Sequence, residues 1–145
     1  MAWFFYALGS AALWGYSYAL SDKVMRYGIK PIFLMCLTGI FYLIFSIVIA
    51  HFSGHLKSGM QLINSDKSIL FEILILAACY VIGAYFINMA IHLKNASLAN
   101  LIEISYPIFT IIFAYFLMKE VQINLSTMIG GLLIFSGIGV IYLKG

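Results

Sequence analysis

Charge is what this sequence has least of. Its eight Lys and Arg and five Asp and Glu amount to 9% of 145 residues, against about 25% in ordinary soluble domains. The basic residues are scattered, so the cationic stripe that a nucleic-acid backbone requires is missing. Cysteine is scarce as well. Cys36 and Cys79 both lie in apolar runs, which reads as small buried hydrophobes rather than a disulfide or a metal site. His51, His55 and His92 stand at the ends of apolar runs without ligand spacing, so no metal is expected. There is no Gly-rich phosphate loop, no defensible Ser/His/Asp order and no zincin helix. Neither an enzyme nor a cofactor is expected. The N-terminal Met1–Tyr6 stretch has no basic n-region, so a cleaved signal peptide is not expected either.

What is present is apolar. Hydrophobic residues make up 64% of the chain and mean hydropathy is +1.06, more than one core of a chain this size can absorb. The solvent for most of this protein is lipid. A spanning helix needs about 20 mostly apolar residues, and five segments meet that length: residues 2–21, 31–51, 69–91, 96–118 and 123–143. The spacing of Asp22 and Arg26 extends the first helix toward Tyr27, and Pro31 suits the opening of the second. Short connectors at 92–95 and 119–122 make the last three helices sequential antiparallel neighbours. The long connector 52–68, with its Ser, Gly, Asn and Lys, reads as a solvated loop. The expected fold is therefore an all-α integral membrane protein of five transmembrane helices, forming one domain over residues 1–145.

Five spans put the termini on opposite sides of the bilayer. Lys23, Arg26, Lys30, Lys94 and Lys144 fall on one side, and Lys57, Lys67 and Lys119 on the other. Five against three favours an outside N-terminus by the positive-inside rule. So slight a bias is also what a chain inserting both ways round carries, and both readings stand.

Polar residues inside the spans carry more information, because each must find a partner. Tyr6, Ser10, Trp14, Ser17 and Ser21 recur at three- and four-residue spacing and share one face of the first helix. Tyr80, Ala84 and Asn88 do the same on the third. Asn100, Glu103, Pro107, Thr110 and Ala114 share a face on the fourth, with Tyr106 at its edge. Such faces belong inside a bundle. Glu103 is the only ionisable side chain well inside a span, about 10 Å from its start at 1.5 Å per residue. Burial penalises its charged form, so it is a candidate proton relay or counter-charge for a cationic substrate. The competing reading is a carboxyl bonded to a neighbouring helix. Pro107 cannot donate to the carbonyl of Glu103, which permits a kink or hinge there.

The aromatics Trp3, Phe4, Phe5, Tyr6 and Tyr142 lie at span ends, as interfacial belts do. Trp14 lies deeper, where it either stacks on a substrate or fills the bundle; Tyr16 and Tyr18 read as packing. On the last helix Ser126, Gly130 and Gly137, with Gly131 beside them, form a small-residue stripe suited to helix packing or a dimer surface.

In order and spacing these pieces resemble the EamA-like domain of the drug/metabolite transporter superfamily. The resemblance rests on Ala12-Leu13-Trp14-Gly15, on Asn95-Ala96-Ser97-Leu98-Ala99-Asn100 followed by Tyr106-Pro107-Ile108-Phe109-Thr110, and on the close at Leu117-Met118-Lys119-Glu120. Ile129-Gly130-Gly131-Leu132-Leu133-Ile134 with Gly137 is similar to that family's glycine-rich closing helix. Lys119 stands where the family usually has Gly. The resemblance implies ten helices built as two inverted five-helix repeats around a central cavity, of which this chain is one half. It implies a secondary transporter of small metabolites or drugs, working in efflux or exchange by alternating access as an antiparallel homodimer of dual topology. Glu103, Asn100, Tyr106, Thr110, Trp14, Ser17, Tyr80 and Asn88 are the candidate substrate-binding or coupling residues, with proton coupling through Glu103. Small multidrug resistance transporters offer a parallel, although their membrane acid is on helix one and this one is on helix four. The alternatives are a half-transporter needing a different partner, such as a subunit of a lipid-linked sugar flippase, and a non-transporting scaffold. The expected partners are the lipid bilayer, a small-molecule substrate and a second copy; the expected location is a prokaryotic inner membrane.

Overall fold

The structure, a computed structural model, describes residues 2–119 and 124–144. These are helical almost throughout: α1 (Ala2–Arg26), α2 (Pro31–Phe52), α3 (His55–Ser65), α4 (Lys67–Leu93), α5 (Ala96–Glu103), α6 (Tyr106–Met118) and α7 (Leu125–Lys144). Asp22 and Arg26 form an ion pair at 2.8 Å on the last turn of α1. That pair carries the helix five residues past Ser21, the end of its apolar run. Gly28, at φ +96°, turns the chain, and Pro31 opens α2 with its ring already set to a helical φ. Asp66 starts α4 by accepting from the Ser68 N–H at 2.9 Å. Ile123, the expected start of the last helix, lies outside the described residues.

One expectation about the connectors is corrected, and the kink permitted at Pro107 is found as a break. The connector 52–68 is not an extended loop but holds an 11-residue helix, α3. Loop composition concealed a helical period, with Leu56, Met60 and Ile63 on one face and Lys57, Ser58, Gln61, Asn64 and Ser65 away from it. The stretch 96–118 is broken between α5 and α6. Near the break the Ser105 N–H reaches back only three residues, to Ile102 O at 3.1 Å. Pro107 cannot donate to Glu103 O at all, so the α-helical ladder ends there.

Three stretches among the described residues are long and apolar enough to cross a membrane: Pro31–Phe52, Lys67–Leu93 and Ala96–Met118. The five expected spans are therefore not all matched on length and composition. In α1, Ser, Tyr and the charged last turn dilute the apolar content. The apolar part of the last helix, Met128–Leu143, is shorter.

The packed core is small and sits at one end of the molecule. Met25, Ile91, Ala96 and Ala99 are buried together, with Tyr18, Leu34, Ile87 and Ala90 packed around them. These residues come from the end of α1, the beginning of α2, the end of α4 and the beginning of α5. Ala96 and Ala99 have little side chain, which lets α5 come close to α1 and α4. From Ala2 to Tyr16 every residue of α1 is exposed. The chain's accessible surface is 11907 Å², whereas a compact soluble monomer of its mass exposes roughly 7,400 Å². Cys36 and Cys79 belong to this open surface. Both are free and exposed, which corrects their reading as buried: apolar side chains facing lipid have no need of a protein core.

Candidate functional site

The carboxyl of Glu103 closes α5, next to the break. Tyr18, on α1, donates its hydroxyl to Glu103 Oε1 at 3.1 Å, and both side chains are half-buried. One turn further along α1, Asp22 Oδ2 accepts the backbone N–H of Ala96 at 3.0 Å. The first residues of a helix have N–H groups without intrahelical partners, so Asp22 supplies an acceptor to α5 from another helix. Asn95 supplies a second from within the chain, accepting from the Leu98 N–H at 2.9 Å. Helix α5 is thus held by α1 at both ends, at Ala96 and at Glu103. Arg26 bonds the Asp22 carboxyl and the Ala96 N–H adds to it, so Asp22 titrates below the ordinary carboxylate range.

Tyr18 continues the aromatic course of α1. Its ring centroid lies 5.9 Å from that of Trp14. From Trp14 a shallow, open groove of about 540 Å³ follows α1 toward its N-terminus, lined by Phe5, Tyr6, Gly9, Ser10, Leu13, Trp14 and Ser17. Every lining residue belongs to α1, so the groove has one wall and no opposite side in this chain. Ser17 is half-buried and its hydroxyl donates to Trp14 O at 3.0 Å.

The remaining candidates are more dispersed. Asn100 is half-buried on α5, one turn before Glu103. Asn88 on α4 is half-buried, and its amide donates to Ala84 O at 2.8 Å, within its own helix. Thr110 likewise donates to Tyr106 O at 3.1 Å, within α6. Tyr80 and Tyr106 are exposed. On α7, Ser126 is exposed, and a Cβ added at Gly130, Gly131 or Gly137 meets nothing within 4 Å; that stripe faces open space. The structure brings Trp14 and Glu103 together around Tyr18, with Tyr106 near enough to interact with it. Asn88 and Thr110 bond within their own helices, Tyr80 is exposed and the α7 stripe faces open space. Among the described residues there is no cluster of three or more His, Cys, Asp or Glu suited to a metal ion.

Tyr18 and Asp22 were the residues that sequence reasoning passed over, one as packing and the other as half of a surface ion pair. The signal was available: Trp14, Tyr18 and Asp22 recur every four residues, beside the face counted through Ser17 and Ser21.

Three stretches long and apolar enough to cross a bilayer mark a multi-pass membrane protein. The chain belongs to the EamA-like transporter family, whose profile matches residues 1–143. No curated protein matches it, and neither does any solved structure.

Proposed function

We propose that this chain is half of a secondary transporter, with five membrane spans formed by α1, α2, α4, α5–α6 and α7. Two copies inserted in opposite orientations enclose the substrate path between them, in a prokaryotic inner membrane. Transport of a small metabolite or drug proceeds by alternating access, driven by an ion gradient. Glu103 exchanges a proton for substrate, and Tyr18 holds its carboxyl in place.

The observation that carries this reading is the Tyr18–Glu103 hydrogen bond beside the α5–α6 break. Broken helices at membrane depth occur where backbone lines a cavity. Here the break leaves the Glu103 carbonyl without its helical N–H, next to a carboxyl. The one-walled groove on α1 and the large exposed surface argue for a second copy as the missing wall.

The test is proton movement in proteoliposomes containing the purified chain and a pH-sensitive dye. Candidate substrates come from a thermal-shift screen over amino acids, metabolites and lipophilic cations. The expected result is substrate-dependent proton flux that Glu103→Gln abolishes. If Glu103→Gln retains a normal pH dependence, the coupling role is wrong. Mass in detergent micelles tests the assembly: a dimer supports two copies, and a strict monomer with one fixed orientation points to a different partner chain.

A further inference from the structure

Helix α3 joins two stretches that are each long enough to cross the bilayer, α2 and α4. With both crossing the bilayer, the points where the first leaves it and the second enters it would lie at the two ends of α3. Gly54, in the left-handed region at φ +73°, breaks the chain away from the axis of α2. At the far end Asp66, with extended backbone at φ −139° and ψ 110°, breaks it again and caps α4. The 11 residues between these breaks span roughly 16 Å.

The sides of α3 differ in chemistry. Leu56, Met60 and Ile63 fall within about 60° of one another around the axis, at 100° per residue. Asn64 and Lys57 border the stripe, Gln61, Ser65 and Ser58 lie across from it, and Leu62, also exposed, stands apart from it. Ile63 is half-buried, whereas Leu56 and Met60 remain 44% and 52% exposed. The protein therefore covers part of the apolar stripe and leaves the rest facing outward.

We infer that α3 is a membrane-surface helix whose stripe, through Leu56 and Met60, sinks into the boundary between lipid headgroups and acyl chains. Two observations name lipid as the occupant. The flanking spans deliver both ends of α3 to that boundary, so the acyl region adjoins it without any further partner. The charges also fit: Lys57 and Lys67 flank the stripe at its two ends, long enough to reach phosphate oxygens while their stems lie along the apolar surface. Lys67 is already held toward α3, donating to Asn64 Oδ1 at 3.3 Å. The assignment is independent of what the protein transports.

The experiment places single cysteines, Leu56→Cys, Met60→Cys, Ser58→Cys and Gln61→Cys, in the full chain with Cys36 and Cys79 replaced by Ala. Each is nitroxide-labelled in phospholipid vesicles, and its collisions with oxygen and with a water-soluble nickel chelate are compared. Positions 56 and 60 are expected to meet oxygen at least several-fold more often, relative to nickel, than positions 58 and 61. Equal nickel access at all four puts α3 in water and overturns the inference. Exclusion of both reagents at 56 and 60 means that protein covers the stripe, and overturns it as well. The unsubstituted chain gives a second readout. A photoactivatable carbene on the lipid acyl chain should modify Leu56 or Met60, and modification confined to α2 and α4 refutes the assignment.

Discussion

Tyr18 and Glu103 meet across 85 positions of sequence, and the roles of the two can be separated by changing one atom at a time. Tyr18→Phe keeps the ring against Trp14 and removes only the donor. A hydrogen bond to a charged group is worth about 1.5–3 kcal/mol, so substrate-driven proton flux should fall about tenfold with its pH profile displaced. Glu103→Gln keeps the shape and removes the ionisation, so the pH response should flatten altogether. Measured side by side in proteoliposomes, equal effects of the two would mean that the pair is a structural clasp. Lys119 gives a second prediction at this scale. It caps α6 in the left-handed region at φ 58°, ψ 25°, donating its N–H to Tyr115 O at 2.9 Å. Its ammonium stands 5.9 Å from the Phe116 ring centroid, a modest compensation. The left-handed conformation costs a residue with a side chain about 1–2 kcal/mol. Lys119→Gly is therefore expected to raise Tm by a few degrees, read by thermal unfolding in detergent.

Among the elements, α5 is the one whose position depends most on its neighbours. At eight residues it is too short to be stable alone, and Asp22, Asn95 and Tyr18 hold its ends. Asp22 has a depressed pKa in the folded protein, because of Arg26 and the Ala96 N–H. Its stabilising contribution is thus present above the unfolded value of about 3.9 and is lost as pH falls through the lower folded value. Thermal stability should drop on acidification below about pH 4, and Asp22→Asn should start lower and lose less over the same range. A wild-type and variant pair with parallel pH curves would remove Asp22 from the account. Pro107→Ala restores the N–H that the Glu103 carbonyl lacks. Pro107 stands in the first turn of α6, where proline costs a helix little. This variant therefore gains heat stability only by joining α5 and α6 into one continuous helix, and it is then expected to transport more slowly. Gain of stability with unchanged transport would mean that the break serves packing alone.

The helices were legible in the sequence to the extent that apolar length and punctuation dictate them. Pro31 marks a start by its backbone chemistry, which needs no tertiary context. Asp66 and Asn95 cap α4 and α5 just as locally, but apolar length alone starts the third span at residue 69 and hides the first of these caps. The α5–α6 break was visible only as a possible kink, because Pro107 removes a hydrogen bond but does not say how far the chain responds. Helix α3 was hidden because Ser, Gly and Asn score as loop while its period rests on only three apolar residues. At the site, Glu103 stood out as a charge in the wrong solvent. Its partner did not, since a tyrosine in an aromatic-rich helix has the same one-letter appearance whether it packs or bonds.

At the scale of the whole molecule, packing is tight where α1 ends and open where it begins. Met25, Ile91, Ala96 and Ala99 form the closed end, and the exposed first turns of α1 with the one-walled groove form part of the open one. In the proposed pairing, two copies in opposite orientations would set the closed end of each beside the open end of the other. Single-cysteine labelling in the 52–68 segment, with Cys36 and Cys79 replaced, reads this arrangement directly. Comparable labelling from both faces of the membrane is the expected outcome. Labelling from one face only would exclude antiparallel pairing of identical chains.

The bond from the Ala96 N–H to Asp22 joins residues 74 positions apart. It also sets an order of manufacture. While the ribosome is still making α2 to α4, the Asp22 carboxyl has only Arg26 for company, and the first helix has apolar neighbours such as Leu34 and Ile91 but not yet the hydrogen bond that holds α5. That fastening begins when residue 96 emerges. A nascent chain stalled before that point should remain open to exchange or extraction, and one stalled beyond Glu103 should resist both.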